Sequence, residues 1–364
     1  MQKNRQNKQT IGAECFVPGH ITGFFEICKN KIPEKTGSRG CGIVLDKGIS
    51  VKISLVPTEI NRLNNSKKSN YSKKSNNSKL CVFLNEKQIE NPIIPTLIDV
   101  VIDSFSSSEK NEIHNFLENY SITIDQKSDF LPSAGFGISA AGSLGVSNAL
   151  IEILKNNVFK YENLENEKIK NEKIKNQIFK KEKWADLAHI SEIKTGSGLG
   201  DVSAIVKGGL AFRKKPGAPS FGKVERIKTV DKKIYYVSID EIETSSVLND
   251  PEKYKKIKKA GKEAIKSFEK EKTFENFMIT SNIFAKEIDL MSFKIKDALE
   301  KIEPEFALAS QAMLGNTIFA VTNKKDETAE KHIYKVLSTL GDVKTCNLLN
   351  ENTKIKSVYR ENTI

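Results

Sequence analysis

The chain has 364 residues, a length that allows two domains of ordinary size and excludes a peptide or a small disulfide-bonded scaffold. Its 58 lysines and arginines outnumber the 46 aspartates and glutamates, which gives a formal net charge of +12. Only six of these cations are arginines, and the lysines are scattered among asparagine and glutamate, as on a solvated surface. Because nucleic acids favour the forked guanidinium group, we expect no nucleic-acid binding.

The remaining composition excludes several other classes. The five cysteines are widely spaced without a C-x-x-C pair, and the four histidines are scattered, so neither a zinc site nor a disulfide framework is expected. No apolar stretch follows the charged N-terminus, which argues against a secretory signal. Residues 131–151 carry no charge, but their proline, glycines and serines predict a loop that feeds a buried helix rather than a membrane span. We expect a cytoplasmic protein.

Two polar segments interrupt the pattern and are interpreted as insertions near 64–79 and 160–183. The first repeats a Ser-Lys-Lys-Ser-Asn theme with nothing to bury, which predicts a loop. Within the second, residues 165–176 repeat a five-residue unit that can extend a solvated helix. We expect neither to take part in chemistry; the functional alternative is an electrostatic tether.

The first half of the chain has an α+β pattern. Residues 49–56 alternate apolar and polar side chains, which predicts a strand, and residues 80–84 form an apolar run expected to pair with it as a hairpin. The spacing further predicts a helix over 109–119, a strand over 121–125, and helices over 139–154 and 184–194.

The second half repeats this mixture on a smaller scale. The spacing of its apolar residues predicts strands within 223–239, helices between 251 and 302, a strand at 317–322, a helix at 328–340 and a strand at 343–349. The closing strand, helix, strand order suggests a second α+β layer. Because residues 213–219 break the periodicity, we divide the chain into an N-terminal domain of residues 1–222 and a C-terminal domain of residues 223–364.

The most informative stretch is Pro132-Ser-Ala-Gly-Phe-Gly-Ile-Ser-Ala-Ala141, which opens a helix of small residues. Gly135 and Gly137 permit positive φ and a close backbone approach, and the free N–H groups of a helix start attract anions. The Ser139 hydroxyl can hold a magnesium ion on the phosphates. A phosphate-binding loop is the interpretation; the alternative is a glycine turn before a tightly packed helix. A further glycine turn at 310–316 is expected to lie against the same pocket.

A second glycine cluster, Thr195-Gly-Ser-Gly-Leu-Gly-Asp201, presents an acid. Asp201 precedes an apolar run, 202–206, that we predict to be a strand. Its carboxylate can accept or orient a substrate hydroxyl proton, and Glu192 can supply an oxygen ligand for magnesium. The alternative for Asp201 is a helix cap or a turn.

Further polar residues are candidates for binding a small ligand. His20 and Thr22 are predicted on a turn after a short strand, where both can form hydrogen bonds. Arg39 lies between glycines and suits a carboxylate or phosphate, and Arg213 is a second such candidate; the alternative for each is a surface cation. His189 lies on an apolar helix face and is expected to be a hydrogen-bonded core residue rather than a catalytic one.

Together these motifs resemble those of the GHMP small-molecule kinases. Among these kinases, the archaeal pantoate kinases are the most similar. The phosphate loop of that superfamily reads Gly-Leu-Gly-Ser-Ser-Ala-Ala and stands here as Gly135-Phe-Gly-Ile-Ser-Ala-Ala141, with Ile138 in place of the first serine. The pantoate kinases are similar in three more segments, which are PGHITGFF at 18–25, GSRGCG at 37–42 and GSGLGDVSA at 196–204.

The resemblance implies an α+β fold of two domains: an N-terminal ATP-binding domain with a left-handed βαβ crossover and a ferredoxin-like C-terminal domain. It implies that Asp201 is catalytic and that Ser139 and Glu192 bind the metal. The nucleotide would be bound by Gly135, Phe136, Gly137, Ser139, Ala140 and Ala141. The acceptor would be bound by His20, Thr22, Arg39 and Arg213.

The activity that the resemblance implies is ATP- and Mg²⁺-dependent phosphorylation of the 4-hydroxyl of pantoate, giving 4-phosphopantoate on the archaeal route to coenzyme A. The family also suggests a homodimer. One alternative is another GHMP kinase that acts on homoserine, shikimate or mevalonate. The other is a non-enzymatic RNA-associated protein, since the first-domain fold also occurs in ribosomal proteins and the net charge is +12.

Overall fold

A computed structural model of the chain describes residues 9–58, 79–159, 181–240, 250–322 and 327–362. The two polar insertions lie almost wholly outside the described residues. Within the described ranges, no helix is long and apolar enough to cross a membrane. The uncharged stretch 131–151 forms a loop that leads into a buried helix, as predicted.

The first layer is a mixed sheet built around a long antiparallel strand pair. Its strands are β1 (Thr10–Cys28), β2 (Gly37–Pro57), β3 (Leu80–Leu84), β4 (Lys87–Gln88), β5 (Tyr120–Ser128), β6 (Leu210–Lys215), β7 (Lys223–Ile227) and β12 (Val358–Asn362). They lie in the order β12-β1-β2-β5-β3-β4, and β6 pairs with the start of β2 and with β7. Buried residues alternate with more exposed ones over residues 10–17 of β1 and 49–57 of β2, so one face of this part of the sheet forms the core. Most of the remaining residues of both strands are buried on both faces.

Helices pack against the first sheet and fill that core. They are a 3₁₀ turn (Pro33–Lys35), α1 (Ile93–Asp103), α2 (Ser107–Leu117), α3 (Ile138–Asn157), α4 (Lys181–Thr195) and α5 (Asp201–Lys207). Helix α3 can approach the sheet closely because its residues are small: a Cβ on Gly145 would lie 2.5 Å from the Val51 side chain. This close packing fixes the position of the glycine loop that precedes α3.

The predicted hairpin between residues 49–56 and 80–84 is wrong. Strand β3 pairs in parallel with β5, and β5 lies between β3 and β2. A parallel pair needs a crossover connection, which α1 and α2 supply, and two short apolar runs do not show that a third strand separates them. The βαβ unit itself is present, and the hand of its crossover stays a prediction.

The second layer is an antiparallel sheet of β8 (Lys233–Asp240), β9 (Ala307–Gln311), β10 (Asn316–Thr322) and β11 (Lys344–Asn347). Its order, β11-β8-β10-β9, is the strand order of a ferredoxin-like fold, which confirms that prediction. The helices are α6 (Pro251–Lys270), α7 (Phe274–Ile288), α8 (Phe293–Lys301) and α9 (Glu327–Leu337). Helices α6 and α7 also pack on β1, where Phe24 contacts Phe268 and Phe277, so the two layers share an interface.

The two layers do not divide simply along the chain. Strands β7 and β12 follow residue 222 in sequence, yet both belong to the first sheet. The C-terminal strand β12 pairs with β1 from Thr10 to Glu14. The division at 222/223 stays a prediction about domains, and the chain returns to the first layer at its end.

Two local predictions are corrected by the structure. Residues 202–206, expected to be a strand, lie in helix α5, because a short apolar run without alternation fits a buried helix as well as a strand. His20 and Thr22, expected on a turn, lie inside β1. Register shifts between Pro18 and His20 and between Thr22 and Phe24 let the strand continue through the glycines that suggested a turn.

Candidate active site

A cleft lies where the phosphate loop, the second glycine cluster and the 312–315 turn meet. The described residues that line it are Thr22, Phe25, Ser38, Leu131, Ser133, Gly135, Phe136, Gly137, Ile138, Ser139, Ala140, Glu192, Ser197, Gly198, Leu199, Gly200, Asp201, Arg213, Met313 and Leu314. The two glycine clusters that are 60 residues apart in sequence, at 135–141 and 195–201, therefore face one cavity.

The phosphate loop requires its glycines. Gly135 and Gly137 have φ values of +94° and +61°, a region that favours glycine, and Gly137 begins helix α3 as its N-cap. The Phe136 side chain is buried, stacks on Phe130 with ring centroids 4.0 Å apart and contacts Tyr236 edge-on. The loop therefore presents backbone to the cleft, as anion binding at a helix N-terminus needs, while its aromatic side chain anchors it.

The 312–315 turn, predicted to lie against the substrate pocket, lines the cleft and also packs against that loop from the other layer. It connects β9 to β10, and Met313 and Leu314 line the cleft. The amide N–H of Met313 donates to the carbonyl of Thr22 at 3.0 Å, which ties the turn to β1. Gly315 packs so closely that a Cβ there would lie 2.1 Å from the carbonyl oxygen of Ala134.

The variant Gly315→Ala is expected to raise KM for ATP about tenfold, because the added methyl group must displace the backbone just before Gly135 and a shift of 1 Å can cost this much. KM for the acceptor should change less than threefold or so, since the acceptor residues lie on other elements. Steady-state kinetics with each substrate varied in turn would check this. An unchanged KM for ATP would show that the turn does not position the loop.

Glu192 lies at the end of the cleft nearest Ser139. It is 2% exposed, and its Oε1 accepts hydrogen bonds from the hydroxyls of Ser139 at 2.7 Å and Ser143 at 3.0 Å. Its Oε2 is buried without a hydrogen-bond partner among the described residues. Burial raises the pKa of Glu192 to about 7, against the lowering effect of the serine hydroxyls.

These features fit a magnesium ion. A buried carboxyl with an unpartnered oxygen gains from a nearby cation, which would lower its pKa again. The described residues contain no cluster of three or more carboxylate, thiol or imidazole ligands. Mg²⁺ is commonly held by one or two protein oxygens together with substrate phosphates, and Ser139 and Glu192 offer two such oxygens side by side. Ser143, which sequence reasoning missed, follows Ser139 by one helical turn, and this spacing was its available signal.

The variant Ser139→Ala is expected to raise the Mg²⁺ concentration for half-maximal turnover about tenfold, because it removes the hydroxyl that faces both the cleft and Glu192. A magnesium titration at saturating ATP would measure it. The matched control is Ser147→Ala on the same helix, whose hydroxyl bonds to the carbonyl of Trp184 and should leave the titration unchanged. Equal titrations for the two variants would remove Ser139 from the metal site.

Asp201 faces the phosphate loop from the start of α5. A Cβ on Gly137 would lie 3.4 Å from the Asp201 Cβ, so the loop and the acid are in direct contact. Its Oδ1 lies 2.7 Å from Nδ1 of His20 and accepts from the Thr22 hydroxyl at 3.2 Å. Burial raises the pKa of Asp201, but the His20 hydrogen bond and the Arg213 charge outweigh it and hold the pKa below its ordinary value. The carboxylate is therefore ionised at neutral pH.

The two candidate arginines occupy different surroundings. Arg213, on β6, is 2% exposed and is the one cationic side chain among the described residues that line the cleft. Its Nε and one terminal nitrogen have no hydrogen-bond partner within the described ranges. Arg39 does not line the cleft; both its Nε and a terminal nitrogen donate to Glu26, at 2.8 and 2.5 Å. The structure thus brings Arg213, and not Arg39, together with Asp201.

The structure also shows where the remaining predicted site residues lie. Ala140 lines the cleft, while Ala141 is fully buried behind it and bonds through its N–H to the Gly137 carbonyl. His20 is fully buried and does not line the cleft, whereas its neighbour Thr22 does. His189 is buried with Nε2 2.9 Å from the Thr36 carbonyl, which confirms its prediction as a core residue.

Comparison with known proteins shows which class of protein this chain belongs to. No protein-family model matches the chain. The chain is 32% identical over 336 residues to the pantoate kinase of Methanocaldococcus jannaschii, which covers 92% of this chain and 99% of that protein. It is 27% identical over 317 residues to the pantoate kinase of Thermococcus kodakarensis, covering 87% and 89% of the two chains.

Solved structures agree in fold. A phosphotransferase related to the coenzyme A biosynthesis pathway superposes with a TM-score of 0.69 at 24% identity, covering 95% of this chain and 98% of that one. Homoserine kinase from Cytophaga hutchinsonii gives a TM-score of 0.53 at 12% identity, with 98% and 100% covered. These likenesses show that the chain shares the fold of those structures. The sequence match defines the chain as a small-molecule kinase. It belongs to the pantoate kinase family, as its 32% identity over nearly the whole length of the methanogen enzyme shows.

Proposed function

We propose that this protein transfers the γ-phosphoryl group of ATP to the 4-hydroxyl of pantoate, giving 4-phosphopantoate on the archaeal route to coenzyme A. The observation that carries the proposal is that a single cleft holds an anion-binding loop, an ionised carboxylate and one buried, incompletely paired arginine. Pantoate carries both groups that such a cleft would engage, a primary hydroxyl and a carboxylate. The names of the pantoate kinases that this chain resembles support the same acceptor.

In the proposed reaction each residue has one task. The backbone of residues 135–141, at the N-terminus of α3, binds the nucleotide phosphates. Arg213 lines the cleft and binds the pantoate carboxylate through its guanidinium group, which orients the 4-hydroxyl toward the loop. Asp201 accepts the hydroxyl proton as the oxygen bonds to the γ-phosphorus and the bond to ADP breaks. Phosphoryl transfer depends mainly on positioning and charge stabilisation, so few side chains suffice.

The oxygens of Ser139 and Glu192 would hold Mg²⁺. An ion bound there would supply positive charge to the nucleotide phosphates. Thr22 donates to Asp201 from the cleft wall and keeps one carboxylate oxygen occupied.

The test is a kinase assay with ATP and Mg²⁺ on pantoate, mevalonate, homoserine and shikimate, with ³¹P NMR to show which oxygen is phosphorylated. We expect kcat/KM for pantoate to exceed that for the others at least about a hundredfold. All four acceptors carry a carboxylate, so the distance from the carboxylate to the hydroxyl decides which of them places its hydroxyl at the loop. Greater turnover of another alcohol would reassign the substrate. RNA binding that falls steeply with salt, without kinase turnover, would favour the RNA-associated alternative.

The oligomeric state, the location and the partners of the protein are also proposals. A homodimer, a cytoplasmic location and the absence of nucleic-acid binding stay predictions from the family and from the composition. Light scattering on the purified protein would measure the first of these.

A further inference from the structure

We propose that His20 is a positioning residue for Asp201: a neutral imidazole, protonated on Nδ1, that orients the carboxylate toward the acceptor hydroxyl without touching the substrate. The inference rests on the proposed function, because it concerns the group that receives the acceptor proton. It replaces the prediction that His20 binds the acceptor directly.

The position of His20 separates it from the substrate. Its side chain is 0% exposed, inside β1, and it is absent from the described residues that line the cleft. Its Nδ1 lies 2.7 Å from Oδ1 of Asp201, whose own side chain is 27% exposed toward the cleft. His20 therefore acts on the reaction only through Asp201.

The hydrogen-bond chemistry fixes the tautomer. An ionised carboxylate only accepts hydrogen bonds, so the proton of this bond belongs to Nδ1. The other nitrogen, Nε2, is buried with no partner among the described residues, and Gly42 packs against it so tightly that a Cβ there would lie 2.3 Å away. A proton on Nε2 would be an unsatisfied buried donor, which costs free energy. His20 is therefore neutral, with Nε2 unprotonated.

The charges around the pair agree with this state. Burial lowers the pKa of His20, and the nearby Arg213 charge lowers it further, against the raising effect of Asp201. Asp201 faces His20 and Thr22 on β1, Arg213 on β6 and Glu192 on α4, whose pKa the Asp201 charge raises. Both hydrogen bonds to Asp201 end on Oδ1. Oδ2 is thus the oxygen open to the acceptor proton.

Nitrogen-15 NMR of the ring nitrogens in the wild-type protein tests the tautomer without any assay of activity. His189 is the internal standard, because its Nε2 faces the Thr36 carbonyl and must carry the proton. We expect His20, assigned by its loss in His20→Asn, to show the Nδ1-protonated tautomer and no titration between about pH 5.5 and 8. An Nε2-protonated ring, or one that titrates near its ordinary pKa, would overturn the proposal whatever the substrate proves to be.

A pair of variants tests the positioning role. Leucine and asparagine have similar shapes, but only the asparagine amide can donate to Asp201 as Nδ1 does. We expect His20→Leu to lower kcat about thirtyfold or more, with KM for ATP within about threefold, and to move the acidic limb of the kcat pH profile up by about one unit. His20→Asn should keep kcat within about fivefold of wild type and leave the acidic limb of the pH profile at its wild-type position.

The same pair can contradict the proposal. If both variants lost the same fraction of kcat and neither moved the acidic limb of the kcat pH profile, the His20 ring would only fill space. A rise in KM for pantoate with kcat preserved would return His20 to the acceptor site. If the wild-type enzyme does not phosphorylate pantoate, the proposed function fails by itself, and the profiles are then measured with whichever alcohol it does phosphorylate.

Discussion

The substitution Asp201→Asn is expected to lower kcat about a thousandfold, while the Kd of a non-hydrolysable ATP analogue stays within about threefold of wild type. The amide keeps the size of the carboxylate but cannot accept the hydroxyl proton. The acid lies beside the phosphate loop and does not belong to it, so nucleotide binding should survive. Rapid-quench turnover and calorimetric titration measure the two quantities separately.

The matched control for this variant is Asp125→Asn on β5, an aspartate that does not line the cleft and should leave kcat within about twofold of wild type. Circular dichroism melting would show that both variants are folded. If Asp201→Asn retained more than about a tenth of wild-type kcat, Asp201 would not be the proton acceptor, and the family assignment would stand without this mechanism.

The parts of the site that could be predicted from sequence are those encoded within a few residues. Gly135 and Gly137 permit positive φ before a helix of small residues, and both adopt it. The catalytic candidate Asp201 followed a similar local glycine pattern, and the structure places it in the same cleft. Glycine patterns report backbone freedom locally, so they predict a loop before the fold is known.

Element types and pairings that depend on distant residues were less predictable. Residues 202–206 contain Val202, Ala204 and Ile205, which are buried in the structure and would be equally apolar in a strand. The helix that they form packs against β1, β6, α3 and α4, and local periodicity does not report these contacts. The pairing of β3 with β5 likewise depends on the crossover formed by α1 and α2.

The role of a charged side chain depends most strongly on its partners. In sequence, His20 looked like a ligand and Arg39 looked like the better anchor for a carboxylate, since each stands next to glycine. In the structure, His20 turns its polar atoms to Asp201 and Gly42, and Arg39 is paired with Glu26 across β1 and β2. The register of the two long strands sets the Arg39–Glu26 pair, whereas the partner of His20 comes from helix α5, far away in sequence.

The contrast between the two arginines gives the second large expected effect. Arg213→Gln should raise KM for pantoate about a hundredfold or more, because it removes charge-assisted hydrogen bonds to the substrate carboxylate worth about 3 kcal/mol together. KM for ATP should stay within about threefold of wild type, since Arg213 lies on β6 and the nucleotide loop lies at the N-terminus of α3. Steady-state kinetics with pantoate varied at saturating ATP measures the change.

Arg39→Gln is the matched control, with the same substitution on the neighbouring strand, where Gly40 pairs with Arg213. Its guanidinium already has Glu26 as its partner, so KM for pantoate should change less than about threefold. A second acceptor that lacks the carboxylate, the diol of the pantoate skeleton, should be used equally poorly by wild type and Arg213→Gln. If Arg39→Gln instead gave the large rise and Arg213→Gln did not, the carboxylate would bind on the Glu26 side of the strand pair, and the buried charge of Arg213 would serve only to keep Asp201 ionised.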